Sequence, residues 1–166
     1  TCTIVVSPLR FSPDSCRVAD KAVELGIPLK VSTVSQAGAT GPVSLAGNVA
    51  LGNAEVLAGF VALNLLKPGA HLLMGNWPFV SDLRTGSFAG GGGEMGLLMA
   101  ASAQLGRHYN LPTTVASGMT SAKLPDAQSG WEKGYLSTTA GLAGANMVMM
   151  TMGGLADNVA YSPEAL

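Results

Sequence analysis

The sequence predicts an α/β fold that forms part of a (β/α)8 TIM barrel, with about five parallel strands and intervening helices. Three observations support this prediction. Short apolar segments alternate with longer helical segments along the chain, which is typical of parallel βαβ units. The strand segments are apolar on both faces, as expected for a sheet covered by helices or closed into a barrel. Connections from strand to helix are long, whereas those from helix to strand are short.

Each strand segment is a short apolar run bounded by turn residues. The first is rich in β-branched residues and ends at Ser-Pro. The predicted strands cover residues 1–8, 27–34, 70–76, 111–117 and 146–154. Long connections follow three of them, at residues 35–45, 76–93 and 117–125. Active sites of (β/α)8 barrels lie on such loops at the carboxyl ends of the strands, so we expect the site there.

The helical segments are marked by their ends and by their apolar periodicity. In the first, Val18, Ala22, Val23 and Leu25 form the expected apolar face, and Gly26 ends the helix. The second is a long apolar helix closed by "KPG", and Asp126 caps the fourth. The predicted helices cover residues 13–26, 46–66, 94–109 and 126–145.

The length of the chain limits how much of a barrel it can contain. A full barrel needs eight strands and about 250 residues, whereas this sequence has 166 residues. The chain starts within a strand segment and ends at "SPEAL", a pattern typical of a new helix. We therefore expect residues 1–166 to be a single segment of a larger protein. An open, doubly wound sheet is the competing architecture.

Composition narrows the classes of partner. The chain is 48% hydrophobic and 11% charged, with a net charge of -1, against about 25% charged in an average globular protein. Much of the surface is therefore expected to be covered, by partner subunits in a homo-oligomer or by further parts of the same protein. The charge balance argues against nucleic acid, and polar residues interrupt the best membrane-span candidates. Two unpatterned cysteines and no signal-peptide pattern indicate a reduced, cytoplasmic setting.

The first two long loops contain candidate ligand-binding residues. Gln36 can donate or accept hydrogen bonds from a glycine-rich loop. Trp77 and Phe79 follow the third strand, and aromatic faces attract quaternary ammonium groups. Glu94 opens the third helix, where it can complement the helix dipole or meet a cation. Packing beneath a loop is the alternative explanation for both aromatic residues.

Polar side chains are concentrated between the fourth strand and the fourth helix. Lys123, Asp126, Gln128 and Glu132 lie in the stretch "SGMTSAKLPDAQSGWEK". A helix cap and a solvated first turn explain Asp126 well. They explain Gln128 and Glu132 less well, because these residues share a face beside a small, open helix start. These four residues are therefore predicted to line a site, and Thr151 in the fifth strand segment is expected to point toward the same edge.

Other unusual residues receive structural explanations or remain open. The run Gly90 to Gly93 precedes a helix and could cradle a phosphate, although Glu94 would repel it. Glu55 stands alone in an apolar helix, so we expect it to be paired within the fold. His71 and His108 lie on the wrong side of a barrel for chemistry. The residues alone assign no catalytic group and no metal ligands.

Several segments together resemble the trimethylamine methyltransferase family. They are "AGATGPVSLAGNVALGNAEVLAG", "NLLKPGAHLLMGN", "ASAQLGRHYNLPT", "TSAKLPDAQSGWEK" and "AGLAGANMVMMTMGGL". Members similar to this sequence are (β/α)8 barrels that move a methyl group from a methylated amine to the cobalt of a corrinoid (cobalamin). The corrinoid is carried by a partner protein, so no directly bound cofactor is expected. The resemblance implies that residues 1–166 are the C-terminal part of a truncated methyltransferase barrel.

The resemblance also bears on the substrate. Archaeal trimethylamine enzymes of the family use pyrrolysine, whereas this sequence contains only the ordinary twenty residues. That favours a quaternary amine such as glycine betaine, choline or carnitine, or an unknown substrate, over trimethylamine. Two other functions stay open: a non-catalytic member that binds methylated amines or serves in assembly, and an unrelated barrel enzyme for phosphorylated substrates.

Overall fold

Helices and strands alternate along residues 2–150 and 152–165, the residues that the computed structural model describes. The helices are α1 (Pro13–Glu24), α2 (Leu45–Leu66), α3 (Gly93–His108) and α4 (Ala127–Ala143), and a 3-10 turn covers Pro163–Ala165. The strands are β1 (Cys2–Val6), β2 (Arg10–Phe11), β3 (Leu29–Thr33), β4 (Gln36–Ala37), β5 (Leu72–Asn76), β6 (Phe79–Val80), β7 (Thr114–Ala116), β8 (Met147–Met149), β9 (Gly154–Leu155) and β10 (Ala160–Tyr161). The predicted α/β class is confirmed.

The main strands are parallel and follow one another in chain order. Strand β3 pairs in parallel with β1 on one side and β5 on the other, and β7 pairs in parallel with β8. A parallel bridge between Met74 and Thr113 joins β5 to β7, where the Met74 amide donates to the Pro112 carbonyl at 2.8 Å. The resulting order, β1–β3–β5–β7–β8, uses the five segments predicted from sequence. The short antiparallel pairs β1–β2 and β9–β10 were not predicted.

The sheet is curved. Lys30 on β3 donates from Nζ to Met149 Sδ on β8 at 3.5 Å, although β5 and β7 lie between these strands. In a flat sheet with about 4.8 Å between strands, β3 and β8 would stand roughly 14 Å apart. Because strand side chains project roughly perpendicular to a sheet, this contact requires curvature. Lys30 and Met149 therefore lie on the concave face.

Helix α1 buries a narrower face than the sequence predicted. Ala22 and Val23 are buried, together with Ala19, and all pack in the core near β1 and β3. Val18 and Leu25 are 51% and 62% exposed, so their assignment to the apolar face was wrong. Val18 lies about 100° around the helix from Ala19. Leu25 follows the last helical residue as its C-cap, before the left-handed turn at Gly26.

Helix α2 approaches the sheet closely because glycines line its inner face. A Cβ at Gly59 would lie 2.5 Å from Val31 Cγ1, and one at Gly52 would overlap Asn76 Oδ1. The outer face is also apolar, with Val61 and Leu65 exposed. This helix is long and apolar enough to cross a membrane, but a core helix passes the same test, so the evidence for a span is weak.

The predicted structural pairing of Glu55 is confirmed. Its carboxylate is 1% exposed and accepts hydrogen bonds from Ser7 Oγ at 2.7 Å and from the Leu9 amide at 2.8 Å. The hydroxyl of Thr33 on β3 also donates to it. One carboxylate thus joins α2, β3 and the turn after β1. Such a buried group stabilises the fold only while its partners remain in place.

Replacing Glu55 by Ala should lower the free energy of unfolding of the full-length protein by about 3 kcal/mol, because several buried donors lose their acceptor. Glu24→Ala on the exposed end of α1 is the control and should change it by less than about 0.5 kcal/mol. Urea denaturation followed by circular dichroism measures both. Equal effects of the two substitutions would contradict the role assigned to Glu55.

Candidate functional site

The candidate site lies where the parallel strands reach their carboxyl ends. The loops after β3, β5, β7 and β8 leave the sheet at this common edge, because their strands run in the same direction. Short strands β4 and β6 extend the edge, with Gln36 paired in parallel with Phe79. Ligands of parallel α/β proteins bind at this edge. We call the set of loops the mouth.

Asp157 joins three of the mouth loops. Its Oδ1 accepts from the Gly90 amide at 2.6 Å and from Ser121 Oγ at 2.7 Å. Its own amide donates to the Thr120 carbonyl at 2.8 Å. Asp157 has a positive φ of 58°, as do its neighbours Ala156 and Asn158. Left-handed backbone at residues other than glycine is unfavourable and persists only where surrounding contacts hold it. These hydrogen bonds supply that restraint.

Glu132 completes the network from the first turns of α4. Its Oε2 accepts from Thr120 Oγ1 at 2.6 Å and from the Ser121 amide at 2.8 Å. Its Oε1 accepts from Gln128 Nε2 at 2.8 Å. The backbone passes so close that a Cβ at Gly91 would overlap the Glu132 carboxylate. Gln128 and Glu132 are therefore close together, as predicted. They belong to a hydrogen-bond network that holds the mouth loops in place.

Tyr135 contacts the segment Gly90–Gly91, which we call the glycine-rich wall of the mouth. Its hydroxyl donates to the Gly91 carbonyl at 2.7 Å. Burial raises the pKa of the Tyr135 phenol, and the negative charges of Glu132 and Glu94 raise that pKa further. The phenol therefore stays protonated and keeps its hydrogen bond over a wider pH range than a free tyrosine would.

Trp77 lies in the interior of the mouth. Its side chain is 4% exposed, and Nε1 donates to the Thr114 carbonyl at 2.9 Å. The ammonium of Lys30 lies over the ring, 3.8 Å from the centroid. The ring therefore already contacts a cation from its own chain, as the charge distribution of an indole face favours. Its predicted contact with a substrate cation stays a prediction.

Three other predicted site residues contact the protein itself. Phe79 is buried and packs against Phe88, with ring centroids 4.6 Å apart. Gln36 Oε1 accepts from Ser81 Oγ at 3.0 Å. Asp126 caps α4 by accepting from the Ser129 amide at 3.0 Å, as its position after Pro125 predicted.

Two predicted residues lie on the exposed surface near the mouth. Glu94 is in the first turn of α3 and Lys123 is in the loop before α4, and both are exposed. Thr151 lies outside the described residues. The described residues of the predicted set follow the carboxyl ends of β3, β5 and β7 along the chain, and their roles in binding stay predictions.

Sequence reasoning missed Lys30, Asp157 and Tyr135. Lys30 could have been singled out from the sequence, since it interrupts the apolar strand "PLKVSTV", where a charge is unusual. Asp157 could not have been recognised from the sequence, because its partners lie 36 and 67 residues away along the chain. Only the folded arrangement of loops brings them together.

The glycine run is poorly suited to phosphate. The amides of Gly90 and Gly91 already donate to Asp157 and Ser121, at 2.6 and 3.2 Å. The carboxylates of Asp157 and Glu132 also contact this region, and they would repel an anion. No group of three or more metal-ligating side chains occurs within the described ranges.

The molecule is an α/β protein whose candidate site lies at the carboxyl edge of parallel strands. Within that class, the sequence matches the model of the trimethylamine methyltransferase (MTTB) family over residues 1–166, and the chain belongs to that family.

Two relatives of this chain are named for different methylated amines. This chain is 41% identical over 142 residues to trimethylamine methyltransferase MttB of Methanosarcina thermophila, and the match covers 86% of this chain and 29% of the relative. It is 36% identical over 159 residues to glycine betaine methyltransferase of Desulfitobacterium hafniense (strain Y51), covering 96% of this chain and 33% of the relative. The chain thus spans about a third of the length of these curated relatives.

Substituting Gly91 by Ala should destabilise the mouth, because the added Cβ overlaps Glu132 and displaces its hydrogen bonds to Thr120 and Ser121. We expect a loss of about 2 kcal/mol in unfolding free energy. Gly93→Ala is a matched control two residues away, where a Cβ meets nothing within 4 Å. Thermal melts of the full-length variants compare them, and an equal Tm for both would refute the close packing at Gly91.

Replacing Glu132 by Gln should lower the pKa of Tyr135, because the negative charge that disfavours the phenolate is removed. Absorbance of the phenolate against pH measures the shift, and Tyr135→Phe identifies the signal. Glu24→Gln on α1 should leave the titration unchanged. A titration of Glu132→Gln that matched the parent protein would show that the two side chains do not interact.

Proposed function

We propose that this chain is part of an enzyme that transfers a methyl group from a tertiary or quaternary methylated amine to the cobalt of a corrinoid. The corrinoid would be carried by a separate protein and would act as the methyl acceptor. Membership of the methyltransferase family carries the proposal, because methylated amines are named for both kinds of relative. The carboxylates of Asp157 and Glu132 at the mouth support it, because negative charge there would attract a cationic substrate.

We further propose that the parallel strands belong to a closed (β/α)8 barrel. Two observations support closure over an open sheet. The strands β1, β3, β5, β7 and β8 follow one another in chain order, without the reversal that characterises a doubly wound sheet. The contact between Lys30 and Met149 requires a curved sheet with a concave interior. Both features are those of consecutive barrel strands.

The proposed reaction needs little acid or base chemistry from the protein. In a quaternary amine, the bond between nitrogen and the methyl carbon breaks, and its electron pair remains on nitrogen. The methyl carbon bonds to the cobalt of a reduced, Co(I) corrinoid, which supplies the electron pair of the new bond. No proton has to be removed, so positioning is the main contribution of the protein. This fits a mouth with fixed carboxylates and without a histidine among its predicted site residues.

The glycine-rich wall of the mouth, Gly90 and Gly91, would help to align the reacting groups. The backbone of both residues is buried and is held by Asp157, Ser121 and Tyr135. The rigidity of the wall would keep the reacting atoms aligned, which is where much of the rate enhancement arises in a displacement of this kind.

A quaternary amine is the preferred substrate in this proposal, since the sequence contains only the ordinary twenty residues. The proposal also includes a reduced, cytoplasmic location and a homo-oligomeric state. The exposed free thiol of Cys16 is compatible with a reducing compartment. The apolar residues Val61, Leu65 and Leu97 are exposed on the outer faces of α2 and α3, where a further subunit could cover them.

Methyl transfer by the full-length protein tests the proposal. The protein is mixed with a corrinoid protein in its Co(I) state under reducing conditions, and cobalt absorbance is followed after each amine is added. Conversion of the cobalt spectrum with at least one methylated amine is expected. Amine binding without spectral change would support the non-catalytic alternative, whereas the absence of both would defeat the proposal.

Replacing Trp77 by Phe should weaken binding of a quaternary amine severalfold, since a desolvated cation–π contact with indole is worth about 2 kcal/mol and phenyl provides less. Trp131→Phe is the control, because Trp131 is 71% exposed on α4. Calorimetric titration of the folded full-length variants gives both affinities. An unchanged affinity in Trp77→Phe would remove Trp77 from the proposed site.

A further inference from the structure

Each of the four mouth loops exposes a large apolar side chain. Val43 lies between β4 and α2, Leu83 between β6 and α3, and Leu124 between β7 and α4. Val159 follows β8, in the turn between β9 and β10. The four residues are between 65% and 88% exposed, and we call them the apolar rim. Turns are usually built from polar residues and glycine, whereas grouped exposed apolar residues mark interaction sites.

The loops that carry the apolar rim are joined to one another. Leu83 packs over the loop before it, since a Cβ at Gly38 would lie 2.5 Å from Leu83 Cδ2. Asp157 joins the loop after β8 to the loops after β5 and β7. The Ala156 amide also donates to the Ala122 carbonyl, at 2.7 Å. The rim is therefore carried by one connected set of loops.

The rim loops have little unbalanced charge. Residues 36–44, 81–92, 117–126 and 152–162 contain three aspartates and two basic side chains. Asp82 pairs with Arg84 at 3.2 Å, and Asp126 caps α4. A surface without a dominant charge does not steer a strongly charged partner toward it. The rim is complementary instead to a surface whose centre is apolar.

The proposed function identifies what has to contact this surface. Loops of successive strands stand side by side around the end of a barrel, so the loops of other barrel strands would extend the rim rather than cover it. A second copy on the rim would close the edge at which substrate and acceptor meet. The protein that carries the corrinoid has to reach this edge, because the methyl group is transferred only between closely positioned atoms.

We propose that the apolar rim is the docking surface for the corrinoid-carrying protein, which presents apolar surface around its corrinoid. This inference rests on the proposed function and adds where its partner binds. The partner has to leave after each transfer, and a small contact is typical of short-lived complexes. Because apolar groups make the contact, its strength should depend little on salt.

Two methyl acceptors separate docking from methyl transfer itself. A corrinoid protein in its Co(I) state has to dock, whereas free cob(I)alamin reaches the site without a protein surface. Leu83→Asp and Leu124→Asp in the full-length protein each place a charge in the rim. Leu25→Asp is the matched control, because Leu25 is exposed at the opposite end of the strands, before β3. Initial rates against acceptor concentration give KM for each acceptor.

Each rim variant should raise KM for the corrinoid protein at least about tenfold, because docking would bury the new charge against apolar surface. KM for the amine and the rate with free cob(I)alamin should stay within about twofold of the parent, since neither needs the rim. Leu25→Asp should match the parent with both acceptors. Raising the salt concentration from about 0.05 to about 0.5 M should change the parent's KM for the corrinoid protein less than about threefold.

Three results would overturn the inference. They are an unchanged KM for the corrinoid protein in both rim variants, an equal loss of rate with both acceptors, and an equal effect of Leu25→Asp. A changed oligomeric state with unchanged kinetics would also overturn it, by assigning the rim to a subunit contact. Circular dichroism checks folding, and either folded rim variant is sufficient for the comparison.

Failure of the proposed function has a different signature, since the folded parent would then transfer a methyl group from no amine to either acceptor. If the parent uses only the corrinoid protein, calorimetry replaces the rates with free cob(I)alamin. The rim variants should then weaken binding of the corrinoid protein and leave binding of the amine unchanged. Equal weakening of both would refute the docking role.

Discussion

Two carboxylates hold the mouth together. Asp157 accepts hydrogen bonds from the loops that follow β5 and β7, and Glu132 accepts from Thr120 and Ser121 in the latter. Gly90 and Gly91 have to be small because the loops converge on these carboxylates. A buried network is rigid when every polar group in it has a hydrogen-bond partner. Removing one partner leaves a buried polar group without a hydrogen bond, which lowers the free energy of unfolding. The arrangement of the other mouth residues depends on this network.

The distribution of charge follows from the same constraint. Only 11% of the residues are charged, yet the carboxylates of Glu132 and Asp157 both lie at the mouth. The ammonium of Lys30 reaches the Trp77 ring from β3. The polar stretch at residues 117–133 is therefore explained partly by structure, through the cap at Asp126, and partly by the restraint that Glu132 places on the mouth.

Local sequence signals predicted the elements, but not the contacts among loops. Apolar runs bounded by Gly and Pro located the five main strands and the helices, because these patterns reflect burial within a few neighbouring residues. Asp126 was recognisable as a cap for the same reason. The left-handed turn at Ala156–Asn158 and the partners of Asp157 depend on distant segments. Lys30 was visible as a charge in a strand, but its position over Trp77 depends on the curvature of the sheet.

A crystal structure of the full-length protein with glycine betaine would show whether the carboxyl edge of this sheet binds a methylated amine, as we propose. We expect ligand density among Trp77, Lys30 and the loops joined by Asp157, with the trimethylammonium group toward the open side of the mouth. Density at the amino ends of the strands or on the outer helix surfaces, with the mouth empty, would contradict it.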